Sequence, residues 1–314
     1  MPAGANEKST VFQNESYKRH AQGFADDVID PVRQRIAASW FDNTTANAWR
    51  DLRGYEIADY LGGVPSDSWL TIGDGRFGLD AIRLMARGVV NVLPTNLDPT
   101  LLQVSLDKGQ IKDFRVENAE RLSFADKSFD YAFCKEAYHH FPRPMIALYE
   151  MLRVTRKGVI LSEPNDRVNS PARMIVAALK RVLGGGPRHM DRINYEEDGN
   201  YVYSISQREI EKVALGLDIP QVAFKGLNDH YVAGVEFEPC DAVRSRIYRK
   251  MRLKVSFRDF LCRIGLDRPL LLMACIFHEG VTGEQRKRML KNGWRIVDLP
   301  RNPYLSSGVN SLDG

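Results

Sequence analysis

The chain has 314 residues, 44% hydrophobic and 27% charged, with 44 Lys and Arg against 40 Asp and Glu for a net charge of +4. That apolar content can bury a sizeable core, which sets aside a disordered chain, and so small a positive excess does not demand nucleic acid as a partner. The first ten residues are polar and lack the apolar stretch of a secretion signal; no run approaches the roughly 20 residues of a membrane helix, and the longest, Pro269 to Phe277, suits a buried strand. Cys134, Cys240, Cys262 and Cys275 are scattered without CxxC spacing, so neither a metal site nor a disulfide framework is expected, and a reduced, cytoplasmic setting is.

Residues 1–66 read as a helical cap. Val28, Val32, Ile36 and Trp40 recur at three-to-four spacing, Trp49, Leu52, Ile57 and Leu61 form a second such set, and Gly62-Gly63-Val64-Pro65-Ser66 closes the region. From Trp69 onward short apolar runs alternate with helical patterns: Trp69 to Ile72, Leu79 to Arg87, Val89 to Leu93, Pro99 to Lys108, Phe129 to Cys134, Met145 to Arg153 and Val159 to Leu161. This alternation predicts an α/β fold, a doubly wound and mostly parallel sheet, whose strand ends fall at Gly73, Asp98, Asn118, Lys135 and Glu163. The core is placed at 67–166, a sheet-completing and acceptor or lid region at 167–301, and a loose tail at 302–314.

In the later region Gly184-Gly185-Gly186-Pro187 breaks a helix that starts near Pro171. Ser206-Gln207-Arg208-Glu209 has the form of a capping box that opens another helix, and Gln221 to Phe224 and Leu270 to Phe277 are candidates to complete the sheet. Tyr195, Tyr201 and Tyr203, with Asp191 and Glu196-Glu197-Asp198, form either a lid or a solvated loop.

The chemistry-bearing feature is Gly73-Asp74-Gly75-Arg76-Phe77-Gly78 after a strand, with Asp98 twenty residues beyond Gly78. Glycines let the backbone approach a ligand, a helix start offers N–H donors to a carboxylate or phosphate, and an acid at the next strand end accepts ribose hydroxyls. The turn alone serves a dinucleotide of an NAD(P)-dependent oxidoreductase as well as another nucleoside. Thr71 stands where many such turns carry an acid.

A longer segment narrows the choice. Asn118-Ala119-Glu120-Arg121-Leu122-Ser123-Phe124-Ala125-Asp126-Lys127-Ser128-Phe129-Asp130, then Tyr138-His139-His140-Phe141-Pro142, then Leu148 to Leu161, resembles the class I S-adenosylmethionine-dependent methyltransferases over about residues 68–166. The resemblance implies that Gly73, Asp74, Gly75 and Gly78 cradle the methionine part of the cofactor, that Asp98 holds the ribose between Leu97 and Pro99, and that Asn118 and Ala119 meet the adenine. Asn118 replaces the family's acid, and an amide oxygen still accepts from an exocyclic amine. Lys135, at the fourth strand end, joins the cofactor set.

The same resemblance puts His139 and His140 close to the transferred methyl. Histidine exchanges a proton near neutral pH, so His140 first, then His139, are candidate bases for a hydroxyl acceptor, with Glu136 orienting an imidazole or binding the acceptor. Glu163 and Asp166 are read as loop-structural or as pocket acids; no third partner for a metal is evident. Asn165 follows Pro164, and no Asn-Pro-Pro-Tyr run of base-amine methylation occurs. The expected reaction is methyl transfer to an oxygen, with nitrogen second, of a small molecule or sugar. A non-catalytic cofactor-binding relative is a further alternative.

Residues 244–263 carry Arg244, Arg246, Arg249, Lys250, Arg252, Lys254, Arg258 and Arg263 against few acids. The cluster suits the phosphate of a nucleotide-linked or lipid-linked sugar, an anionic membrane surface, or simply a solvated helix face.

Overall fold

The computed structural model describes residues 15–19, 22, 30–167, 170–182, 195 and 201–305. Residues 15–19 are helical. The cap continues with α1 (Pro31–Ser39), α2 (Ala46–Leu52) and α3 (Ala58–Leu61), each short and each started by local chemistry where the sequence allows it. Asp30 accepts the Val32 N–H ahead of α1, and Thr45 accepts the Ala48 N–H ahead of α2. Val32 is solvent-exposed, and Val28 lies outside the described residues.

Eight strands form one sheet: β1 (Ser68–Ile72), β2 (Asn91–Asn96), β3 (Arg115–Val116), β4 (Phe129–Lys135), β5 (Thr155–Pro164), β6 (Gln221–Leu227), β7 (Leu271–Phe277) and β8 (Arg295–Asp298). Their spatial order is β3-β2-β1-β4-β5-β7-β6-β8. The first five are parallel, and the pairs β5/β7, β6/β7 and β6/β8 are antiparallel. The fold is thus a mostly parallel, doubly wound α/β sheet. β2 starts two residues later than the apolar run suggests and runs on through polar Thr95 and Asn96, because Thr95 Oγ1 donates to the Thr71 carbonyl at 2.6 Å and ties the strand to β1. β8, which carries no apolar run of note, adds a third antiparallel strand beyond the two expected.

Alternation along the strands divides the core between two faces. Leu70, Ile72, Ala132 and Cys134 turn to the face covered by α6 (Pro144–Val154) and α8 (Gln207–Gly216), while Trp69, Tyr131 and Phe133 turn to the face covered by the cap, α4 (Leu79–Ala86) and α10 (Gly283–Lys291). Pro144 opens α6, where a missing N–H costs nothing. Ser206 and Glu209 form the expected capping box of α8. The remaining helices are α5 (Thr100–Asp107), α7 (Pro171–Val182) and α9 (Arg246–Arg263). Gly184 to Pro187, Asp191 and Glu196 to Asp198 lie outside the described residues.

Candidate active site

The glycine turn follows β1 directly. Gly73 has φ +73°, and a Cβ there would stand 2.5 Å from the Ala137 Cβ, so a left-handed backbone and a close contact both exclude a side chain. Asp74 is buried, and its carboxylate accepts from Thr71 Oγ1 at 2.9 Å and from the backbone N–H groups of Asp80 at 3.0 Å and Ala81 at 2.9 Å. Two expectations change. The α4 N-terminus is capped from within the turn and does not offer those donors to a ligand, and the acid missing at Thr71 stands three residues later, bonded to Thr71 itself.

A cavity of about 870 Å³ opens along the strand ends. Gly73, Asp74 and Gly75 line it after β1, Leu97 and Asp98 after β2, and Asn118 and Ala119 after β3. Gly78 and Pro99 do not line it: Gly78 is the left-handed N-cap of α4, and Pro99 is the N-cap of α5. Asp98 Oδ1 accepts the Thr100 N–H at 2.9 Å, so one oxygen serves its own turn. Asn118 Oδ1 likewise accepts the Glu120 N–H at 2.9 Å, while its Nδ2 donates to the Tyr17 hydroxyl at 3.3 Å, bringing the N-terminal segment over this end.

Residues 118–130 are held as a unit by ion pairs beneath them. Glu150 accepts the Leu122 N–H, Arg153 donates to the carbonyls of Leu122 and Phe124, and Glu120 accepts from the Arg143 backbone and guanidinium. Asp130 accepts the Ser68 N–H and pairs with Arg156, which keeps its carboxyl below the usual range despite partial burial. The regularity of this stretch is therefore loop-building chemistry, and only its first residues reach the cavity.

The opposite end is built from long charged side chains. Lys135, only 7% exposed, places its ammonium 2.6 Å from Asp51 and 2.5 Å from Glu136, above the Tyr55 ring. Arg83 pairs with the other Asp51 oxygen, and Tyr55 donates to Asp80. Glu136 adopts φ +49°, an uncommon conformation for a residue with a side chain, immediately after β4. The Lys135 charge draws its carboxyl down to about 2, so it is ionised at neutral pH. Burial acts the other way on Asp80 and Asp74, raising both, and the Asp74 carboxylate presses Asp80 up further. Arg50 of α2, paired with Asp229, and Tyr231 and Glu236 complete this wall.

The two histidines part company. His140 lines the cavity beside Ala137 and Phe141. His139 does not: its Nδ1 lies 2.6 Å from Glu163 Oε2, and Glu163, fully buried, also accepts the N–H groups of Ala137 and Tyr138. Glu163 is thus the internal anchor of the 137–140 loop and no pocket acid. Asp166 is tied through its backbone to Ile205, and among the described residues no group of three His, Cys, Asp or Glu is placed to hold a metal. Tyr201 meets Tyr195 and Tyr203 edge-on, and none of the three lines the cavity.

Residues 70–162 match the family profile described as a methyltransferase domain. The chain carries a class I methyltransferase domain. Its cofactor is S-adenosylmethionine. No curated protein matches the chain. Among solved structures it is similar to YcgJ from Bacillus subtilis (17% identity, 73% of this chain and 99% of that one, TM-score 0.47) and to a methyltransferase from Archaeoglobus fulgidus (13%, 73% and 94%, TM-score 0.44). It is similar also to the plantazolicin methyltransferase BpumL, solved with S-adenosylhomocysteine (12%, 88% and 99%, TM-score 0.42).

The residues of the methyltransferase fit that cofactor. Gly73 and Gly75 both line the cavity, Ala137 leaves no room for a Cβ at Gly73, and Asp98 keeps a second carboxylate oxygen beyond its turn bond. Sequence reasoning missed Asp51, Arg50, Tyr231 and Glu236, which come from the cap and from the 228–236 loop. It also passed over a legible signal in α4, where Asp80 and Arg83 share the buried face with Leu79 and Leu84.

Proposed function

We propose that this methyltransferase moves the methyl group to an oxygen of a polar small molecule or sugar. The observation that carries the reading is the makeup of the far cavity wall: ion-paired Lys135 and Glu136, Arg50, Tyr231 and His140 suit a hydroxyl-bearing acceptor. When bound, S-adenosylmethionine supplies an electrophilic methyl on a sulfonium. Gly73, Asp74 and Gly75 hold its methionine part, Asp98 its ribose and Asn118 with Ala119 its base.

His140 accepts the acceptor's hydroxyl proton. Glu136 is a poor base, because Lys135 keeps it ionised far below neutral pH, and it serves as a fixed hydrogen-bond acceptor that orients the hydroxyl. His139 positions rather than reacts, with its ring 4.0 Å from that of His140 and its Nδ1 held by Glu163. Lys135 holds Glu136 in place of the cofactor contact first assigned to it.

Calorimetry with S-adenosylhomocysteine and NAD separates this reading from a dinucleotide enzyme; binding of NAD alone overturns it. With labelled S-adenosylmethionine and a panel of sugars and sugar nucleotides, the expected product is a methyl ether. His140→Gln is expected to lower kcat by about 10² to 10⁴. Transfer to nitrogen, or full activity after replacing Glu136, His139 and His140 together, overturns the oxygen chemistry.

A further inference from the structure

The helix α9 carries seven Lys and Arg and a single acid, Asp259, which accepts from Asn228 Nδ2 at 2.8 Å. Its inner face is ordinary: Tyr248, Met251 and Val255 are buried, with Tyr248 and Met251 packed beside Ala46 and Val235. The outer face is not. Leu253, Phe257, Phe260 and Ile264 are 66%, 61%, 53% and 49% exposed. At 3.6 residues per turn these four fall within about 60° of one another, opposite the buried trio. The helix therefore has two apolar faces, and only one of them is covered by the described residues.

Bases frame the outward stripe. Arg252 and Arg263 lie on one side of it and Lys254 on the other, while Arg246, Arg249 and Lys250 continue the same face toward the helix start; all six are exposed. A second helix with exposed apolar residues begins at the same corner. In α7, Met174, Ile175 and Leu179 are 61%, 52% and 57% exposed. Ser170, just ahead of it, donates to Asp267 at 2.6 Å, and Asp267, just past α9, also pairs with Arg167.

We propose that α9 is a peripheral membrane anchor that lays its Leu253, Phe257, Phe260 and Ile264 stripe into an anionic lipid surface. Charge complementarity selects that occupant: an apolar stripe with two phenylalanines, framed by Lys and Arg, matches an interface in which acyl chains meet negative headgroups. No helix among the described residues is long and apolar enough to cross a membrane, so the contact is in the interface plane. The anchor adjoins the acceptor wall, since Lys254 Nζ lies 3.0 Å from His230 Nε2, next to Tyr231 of the cavity. The inference stands independently of the acceptor proposed above.

Sedimentation of the full chain with vesicles tests it. Binding is expected to vesicles of phosphatidylcholine with phosphatidylglycerol, to weaken with added salt, and to be at least tenfold weaker to phosphatidylcholine alone. Phe257→Asp with Phe260→Asp, and separately Arg249→Glu with Lys250→Glu, are each expected to reduce binding by tenfold or more while S-adenosylhomocysteine affinity, the measure of an intact fold, stays unchanged. All four side chains are exposed, and an alanine pair at 257 and 260 provides the milder replacement if the aspartates disturb the fold. Equal affinity for both lipid mixtures, no vesicle binding at all, or a dimer in sedimentation velocity that Phe257→Asp dissociates would each overturn the anchor.

Discussion

The two ends of the cavity are made by different means. The end proposed for the cofactor is backbone: glycines at 73 and 75, turns closed by Asp74, Asp98 and Asn118, each on one short segment that follows a parallel strand. The end proposed for the acceptor is side chain: Asp51, Arg83, Lys135 and Glu136 from three distant segments, with the Arg50–Asp229 pair as one more contact of the same kind. A wall of backbone is damaged by adding atoms, and a wall of ion pairs is damaged by taking a charge away. The first kind suits a ligand that never changes, and the second suits one that differs between relatives.

Three experiments press on that contrast. The largest effect is expected from Lys135→Met, which leaves Glu136 without its ammonium and buried Asp51 with Arg83 alone; a loss of about 3 kcal/mol in urea unfolding is predicted. Next is Gly73→Ala, where the new Cβ meets Ala137 in a left-handed backbone. It should cost about 2–3 kcal/mol and abolish S-adenosylhomocysteine binding in calorimetry, the loss of binding being out of proportion to the loss of stability.

The smallest is Glu136→Gln. Lys135 depresses the Glu136 carboxyl, so its contribution to stability is present above the ordinary carboxylate range and is lost as pH falls toward about 2. The variant should be less stable than the parent at pH 7 by under about 1 kcal/mol, because the Glu136 side chain is 38% exposed, and the two melting curves should converge as pH drops below about 4. A gap that instead widens in acid would show that the ion pair is not what holds this wall.

The contrast also explains what was legible in the sequence. Spacing reveals a site whose parts are close in the chain, so the turn from Gly73, Asp98, and Asn118-Ala119 were placed from sequence and all reach the cavity. Strand ends were legible for the same reason, since a parallel strand buried on both faces leaves a continuous apolar run. Gly78, Pro99 and His139 were given ligand or catalytic roles because a motif carries no direction; folding turns them to caps and to Glu163. The charged wall was hidden because Asp51 and Lys135 are 84 residues apart, and nothing in either segment names the other. β8 was hidden too, as an edge strand whose exposed Arg295 and Asp298 break any apolar run.

The strand order has one more consequence. The sheet ends on both sides in its shortest members, two residues in β3 and four in β8. β8 is marked by Arg295 and by Asp298, which is clasped by Arg286, and β3 by Arg115. Eight strands of ladder are thus closed off by borders too brief and too charged to template another chain, which protects a largely β-built core from aggregating edge to edge.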